Sequence, residues 1–437
     1  MKCPAFLFVL FALVLSLQTS PLRAADTEAK ARGRILDSQG AVLAESSKEG
    51  QRSYPRGKTA GHLTGYLMVK NTKGAYGLEK SFNESLAKGE DLALTLDLRL
   101  QDLVREAFPR DKKGAVVVID PNTGAVLAMN SFPEYDPNDF VPAISKEKWE
   151  AYINDPRHPM LTRTVHPYVP GSVYKIPAAL AAGMAGLEDR SYPCEGGVNF
   201  GDVYLKCWIS GKPPGKHGDL DLSEAVKHSC NAWFYQLANE SGIEPFEKTA
   251  RLLGLFDSTG CGLPNEKSGD PPSEYFKKKG LPFTSRDRAI NTIGQGTVLA
   301  TPMQLASMTA TVANGGKRYQ AHLVQEEKSS LLADLTQSGI SADHIEVVRK
   351  AMWRAVNEPD APASKLRSED VAIAGKTGTA QTGRPDRPFH AWFIGFAPYE
   401  NPRLAICVFV ENGESGSRVA GPIAKNILTR GLSLLAE

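Results

Sequence analysis

GAVVVIDPNTGAVLAM, residues 114–129, is the stretch from which the fold can be read. Two runs rich in small and β-branched residues flank Pro121-Asn122-Thr123-Gly124, where Pro presets φ, Asn tolerates a tight turn and Gly accepts a left-handed backbone. The spacing predicts two strands, Ala115 to Ile119 and Ala125 to Met129, joined by that turn. Just upstream, Leu98 to Phe108 has helical spacing and is closed by Pro109. Far downstream the strand signature returns at Val371 to Thr377, Ala391 to Phe396 and Leu404 to Val410, and a closing helix follows from about Ala420 to Leu435. Between the two sets lie helical periodicities at Leu222 to Leu237, Glu244 to Leu253 and Met303 to Ala313. Strands at both ends and helices in the middle predict an α+β fold: one sheet assembled from distant pieces of chain, with an inserted helical lobe.

Before residue 90 the pattern is less regular. RGRILDSQGAVLA (32–44) alternates and turns like a short hairpin, and RSYPRGKTAGHLTGY (52–66) is rich in Gly and Pro. This region is too small for a core of its own and reads as a β-rich pedestal. At the N-terminus, Lys2 precedes an apolar run from Ala5 to Leu17 and a small-residue site at Ala24 and Ala25, the layout of a secretory signal. As a helix that run reaches only about 20 Å, against roughly 30 Å of bilayer hydrocarbon. Cleavage is expected, with a short retained anchor as the alternative. The predicted organisation is a signal over 1–25, a pedestal over 26–90 and a main domain over 91–437, in a protein exported to the periplasm or the outer face of the membrane.

The 437 residues carry a formal net charge of +2 with Lys and Arg spread along the chain, which leaves no electrostatic footprint for a nucleic acid. Export would put Cys194, Cys207, Cys230, Cys261 and Cys407 in an oxidising compartment. Cys194 and Cys207 read as a disulfide pair. A zinc site using Cys194, Cys207, His217 and His228 is one alternative and free thiols another. Cys407, inside the apolar run Leu404 to Val410, reads as core.

Three short patterns follow one another: Ser172-Val173-Tyr174-Lys175, Ser229-Cys230-Asn231 and Lys376-Thr377-Gly378-Thr379. A serine hydroxyl is a poor nucleophile until a base takes its proton, and a lysine three residues on along a helix shares its face. Pro170-Gly171 marks the helix start, where free N–H groups favour an incoming carbonyl. Lys175 must itself lose a proton, which burial and a second cation, Lys376, favour. Ser229 would relay protons and the Asn231 amide would hold a peptide backbone. Gly378 would let substrate approach the strand, while Lys376, Thr377 and Thr379 offer charge and hydroxyls to a carboxylate. The backbone N–H groups of Ser172 and Thr379 would form an oxyanion hole.

Chance matters here, since a chain of this length should hold roughly one or two Ser-x-x-Lys and one Ser-x-Asn at ordinary residue usage. Ser145-Lys146-Glu147-Lys148 and Ser81-Phe82-Asn83 are such matches, without a preceding Pro-Gly. The specificity lies in the ordered set of three.

With those residues in view, the chain resembles a class B penicillin-binding protein from about residue 32 onward. RGRILDSQGAVLA, YPRGKTAGHLTGY and the YGLE of 76–79 are similar to that family's pedestal. GAVVVIDPNTGAVLAM, IGQGTVLATPMQLA, KTGTAQT and AWFIGFAP resemble its transpeptidase domain. FVPAISKEKWEAYINDPRHPMLTR, ahead of VPGSVYK, and the later CW...HG loop look most like the elongation-type subgroup. The resemblance implies an antiparallel sheet flanked by helices, with Ser172 as nucleophile, Lys175 as general base, and Ser229 and Asn231 as relay and amide holder. Lys376, Thr377 and Thr379 would take the carboxylate of a stem peptide ending in D-Ala-D-Ala. β-Lactams would acylate the same serine, a glycosyltransferase would be a partner, and no cofactor or metal would take part in the chemistry.

Two features depart from the family pattern: the pedestal is several times shorter than usual, and a cleavable signal stands where an anchor is expected. Pro177, two residues past Lys175, would cost a helix interior about 3 kcal/mol and less near its start. Trp392 and Phe393 read as core, Trp233, Phe234 and Tyr235 as packing for the helix after Asn231, and His390 as structural. A D,D-carboxypeptidase or serine β-lactamase on the same fold, or a non-catalytic β-lactam or peptidoglycan sensor, are the competing readings.

Overall fold

A computed structural model describes residues 31–68, 73–382 and 389–436. The expected signal over 1–25 lies outside these residues. Five strands form the central sheet in the order Ala374–Ala380, His390–Ala397, Leu404–Glu411, Lys113–Ile119, Val126–Phe132, each antiparallel to its neighbour. The two predicted strand sets therefore meet in one sheet, through Val408 opposite Val116 and Cys407 opposite Val117.

The strands read as continuous apolar runs because both faces of the sheet are covered. Val116, Val118, Ile406 and Val408 point to one side, where Leu100, Leu103 and Val104 of the helix Leu98–Ala107 and Ile423, Ile427 and Leu428 of the helix Gly421–Leu434 close over them. Val117, Ile119, Trp392, Cys407 and Phe409 point to the other, against the helix Pro302–Ala313, whose residues are all buried. Alternation of Cβ direction along each strand divides one apolar run between two cores.

One predicted helix is two. The periodicity from Leu222 to Leu237 breaks into Leu222–Lys227 and Asn231–Ser241. Ser229 sits at φ +54°, its N–H bonds Val226 O at 3.1 Å and the Cys230 N–H bonds Ala225 O at 2.9 Å. This is a Schellman C-cap with serine in the left-handed position that glycine usually fills. The first sheet strand also runs later than predicted, 374–380 and not 371–377, because its register with His390–Ala397 extends through the small residues Gly378 and Thr379.

Over residues 35–93, four short strands pair in the order Arg52–Ser53, Val42–Ser46, Ile35–Leu36, Leu92–Ala93. Their apolar residues, Ile35 and Leu43 among them, belong to the same core as Trp392 and Phe409. Beneath them the Glu79 carboxylate is fully buried, held by Arg32 at 2.8 Å and by the equally buried Arg52 at 2.7 Å. Among the described residues no helix is long and apolar enough to cross a membrane.

Candidate active site

Pro170 leads into a tight turn over Gly171–Tyr174, and the α-helix Lys175–Met184 follows directly. Gly171 is required there: φ is +59°, and a Cβ would lie 2.9 Å from the Thr379 carbonyl oxygen. Pro177 is only the third residue of the α-helix, where backbone N–H groups have no intrahelical partner to lose. Ser172 is left half-buried at the mouth of a cleft, with Lys175 fully buried one turn behind it.

The Lys175 Nζ donates to the Ser229 carbonyl at 2.7 Å, to Ser229 Oγ at 3.2 Å and to Asn231 Oδ1 at 2.6 Å. The Schellman turn makes this possible, since it brings the Ser229 carbonyl and hydroxyl and the first side chain of the next helix to one point. Burial pulls the Lys175 pKa from the ordinary lysine range to about 8, against an opposing pull from Cys207 and Cys230. Lys376 is buried too, with Nζ on the Thr377 carbonyl at 3.2 Å, and burial followed by the charge of Lys175 pushes its pKa well below the usual value.

A cleft of about 700 Å³ joins Ser172, Ser229, Asn231, Thr377 and Thr379. One wall is the strand Ala374–Ala380, which is an edge of the sheet and so has unpaired backbone groups to offer an extended peptide. Lys376 lies behind this wall and not on it, so the Thr377 and Thr379 hydroxyls are what a ligand meets. Gly378 has a different use from the one its sequence suggests. A Cβ there would meet Val173 Cγ1 at 3.0 Å and the Pro170 carbonyl at 3.1 Å, so its bareness seats the nucleophile turn on the strand and not the substrate.

The chance matches serve local structure. Ser145 Oγ caps an exposed helix by accepting from the Lys148 N–H, and Asn83 Oδ1 accepts from Arg32 and from the Gly74 N–H. Trp392 is buried with Nε1 on the Val169 carbonyl, and His390 accepts from the Asn412 N–H. Tyr235, expected only to pack its helix, also lines the cleft, as do Cys207 and Trp208.

The expected Cys194–Cys207 disulfide is absent: both are free thiols. Cys194, Cys207, His217 and Cys230 instead converge with their donor atoms all within 4.8 Å. His217 Nδ1 stands 3.4 Å from Cys194 Sγ and 3.7 Å from Cys207 Sγ, and the Cys207 and Cys230 sulfurs are 3.9 Å apart. An ion about 2.3 Å from donors at tetrahedral corners sets those donors roughly 3.8 Å apart. The residues present therefore fit a zinc ion. Hydrogen bonds with Cys230 pull the thiols of Cys194 and Cys207 below the usual value and push that of Cys230 above it. His228, named from the sequence as the fourth donor, turns toward Glu224 and Asp360. Cys230 takes its place because the left-handed turn at Ser229 points its side chain inward, a conformation that spacing alone does not reveal.

Residues 114–429 match the penicillin binding protein transpeptidase domain, and residues 32–117 match the penicillin binding protein A dimerisation domain. The peptidoglycan D,D-transpeptidase MrdA of Haemophilus influenzae is 32% identical over 365 residues, covering 78% of this chain and 56% of its own length. PbpA of Mycobacterium tuberculosis is 31% identical, covering 79% and 73%. The chain spans just over half the length of the MrdA relatives of Haemophilus influenzae and Escherichia coli. The crystal structure of Pseudomonas aeruginosa PBP2 in complex with WCK 5153 aligns with TM-score 0.84 at 30% identity, over 92% of this chain and 96% of that one. PBP2 from Helicobacter pylori aligns with TM-score 0.85 at 26% identity, over 93% and 98%. By the family match, the extent of these likenesses and the geometry of the cleft, the chain belongs to the penicillin-binding protein transpeptidase family, class B, with elongation-type relatives.

Proposed function

We propose that this chain is a peptidoglycan D,D-transpeptidase that forms an acyl-enzyme on Ser172. The observation that carries the reading is the seat of Lys175: a buried amine, pulled to about 8, held between Ser229 and Asn231 at the base of a cleft that also exposes Ser172. Lys175 in its neutral form takes the proton from Ser172 as Oγ attacks the carbonyl of the penultimate D-Ala of a stem peptide. The Ser172 and Thr379 backbone N–H groups face the developing oxyanion, and Ser229 passes the proton to the leaving D-Ala. The Thr377 and Thr379 hydroxyls, with the buried Lys376 amine behind them, hold the terminal carboxylate. An acceptor amine on a second stem peptide then releases the acyl group and completes the cross-link. β-Lactams enter the same step as mimics and remain on Ser172.

The protein works outside the cytoplasmic membrane, in the periplasm or on the outer face, a reading supported by the apolar run from Ala5 to Leu17 and the small residues at 24 and 25. A peptidoglycan glycosyltransferase that supplies the strands is its partner. Zinc held by Cys194, Cys207, His217 and Cys230 is structural, because four protein donors leave no open position for a reacting group.

Intact-mass spectrometry with benzylpenicillin tests the assignment. The expected result is one stable adduct on the native protein and none on Ser172→Ala. An adduct that decays within seconds as drug is hydrolysed would favour a β-lactamase, and no adduct on folded native protein would favour a sensor.

A further inference from the structure

The cluster of thiols is wired to the catalytic base through the backbone. Cys230 stands between Ser229, whose carbonyl and hydroxyl hold Lys175, and Asn231, whose side-chain oxygen completes that seat. Cys207 touches the same segment from another part of the chain. Its sulfur accepts the Asn231 N–H at 3.3 Å and lies 3.9 Å from Cys230 Sγ. The Asn231–Ser241 helix has no side-chain cap of its own from Cys230, so the Cys207 sulfur serves its first turn. The three cluster thiols differ in access. All three are buried, Cys207 at 2% exposure, and Cys207 alone of them lines the cleft that holds Ser172.

We propose that Cys207 and Cys230 are a redox modification site: an oxidant entering through the substrate cleft converts them to a disulfide, and that bridge dismantles the seat of Lys175. With hydrogen peroxide as oxidant, the Cys207 sulfur attacks one peroxide oxygen, the O–O bond breaks, and a sulfenic acid and one water result. Cys230 Sγ then attacks the Cys207 sulfur, the S–O bond breaks, and a second water leaves with the Cys230 proton. Two thiols are oxidised by two electrons and one peroxide is reduced. A disulfide sets its sulfurs about 2 Å apart, so they must close by roughly 1.9 Å. Ser229 already occupies a left-handed conformation that a non-glycine residue rarely adopts, and closing the sulfurs pulls on this strained turn, which carries the groups that bind Lys175.

Two kinds of protection follow from the same geometry. A metal ion bound by the cluster ties up both sulfurs, and an acyl group on Ser172 covers the approach to Cys207. Both should slow oxidation.

The inference relies on the acyl-transfer reading only for its activity measurement, and peptide mapping reads it independently. The experiment treats the full-length protein with hydrogen peroxide in four states: metal-loaded, metal-stripped, and each of these after acylation by benzylpenicillin. The expected result is loss of two hydrogens from the metal-stripped, unacylated protein, with a Cys207–Cys230 cross-linked peptide on digestion. Its rate of benzylpenicillin acylation falls at least tenfold and returns with dithiothreitol. Metal-loaded and acylated samples oxidise more slowly. Cys207→Ser forms no such peptide, and its acylation rate, whatever its starting value, is the same before and after peroxide. A bridge mapped to Cys194–Cys207, or equal acylation rates in oxidised and reduced protein, would overturn the inference. Failure of the untreated protein to acylate would instead overturn the function proposed above, while the mapped peptide still decides the redox step.

Discussion

Lys175 shows how a single residue acquires its chemistry from burial. An ordinary lysine is an ammonium at neutral pH and cannot accept a proton, but burial brings this one to about 8. Below that value most molecules carry the amine protonated, the form that could not serve as the proposed base. The acylation rate with benzylpenicillin is therefore expected to rise about tenfold per pH unit up to roughly 8 and then level off. Stopped-flow measurement across pH 6–10 checks this, and a flat profile would remove Lys175 from the role of base. The sequence made the Ser172–Lys175 spacing visible because it is local. It did not show that Lys175 rests on Ser229 and Asn231, or that Lys376 sits behind the wall, since those facts depend on chain segments more than fifty and two hundred residues away. Gly378 was misread for the same reason: its neighbours Val173 and Pro170 are remote in sequence.

At the scale of elements, the turn between the helices Leu222–Lys227 and Asn231–Ser241 does the most. It was hidden in the sequence because the apolar spacing runs through it unbroken, and because serine stands where a helix-ending glycine would announce a stop. The same turn hid Cys230, leaving His228 as the apparent fourth donor. Four donors spaced for one ion would make a bound metal a structural tie between the 194–217 loop and the segment 229–231. Purified protein is expected to carry about one zinc per chain, and chelation should lower its melting temperature by several degrees, with zinc restoring it. Elemental analysis beside calorimetry checks both, and an unchanged melting temperature on chelation would rule out the tie.

For the whole molecule, the sequence correctly indicated one sheet built from distant strands, because runs of Val, Ile and Phe signal strands regardless of where their partners lie. It did not reveal that the first sixty described residues share the core of the main domain, which only packing shows. Glu79 is central to that junction. Glu79→Ala would leave Arg52 buried without its counter-charge, and breaking such a pair costs about 3–5 kcal/mol. Chemical denaturation should show that loss, while benzylpenicillin acylation well below the transition stays close to native because Glu79 is remote from the cleft. A loss under 1 kcal/mol would mean that water reaches the site and replaces the carboxylate.

The pairing of Lys113–Ile119 with Leu404–Glu411 also sets a schedule for the nascent chain. Lys113 and its partner Glu411 are 298 residues apart, so a ribosome adding about 5–20 residues per second needs roughly 15–60 s to supply the second strand after the first. Until then the segment 113–132 can form no more than an isolated hairpin, which is marginal in water and exposes apolar residues on both faces. The sheet cannot close during most of synthesis, so the growing chain stays open and depends on whatever escorts it through that interval.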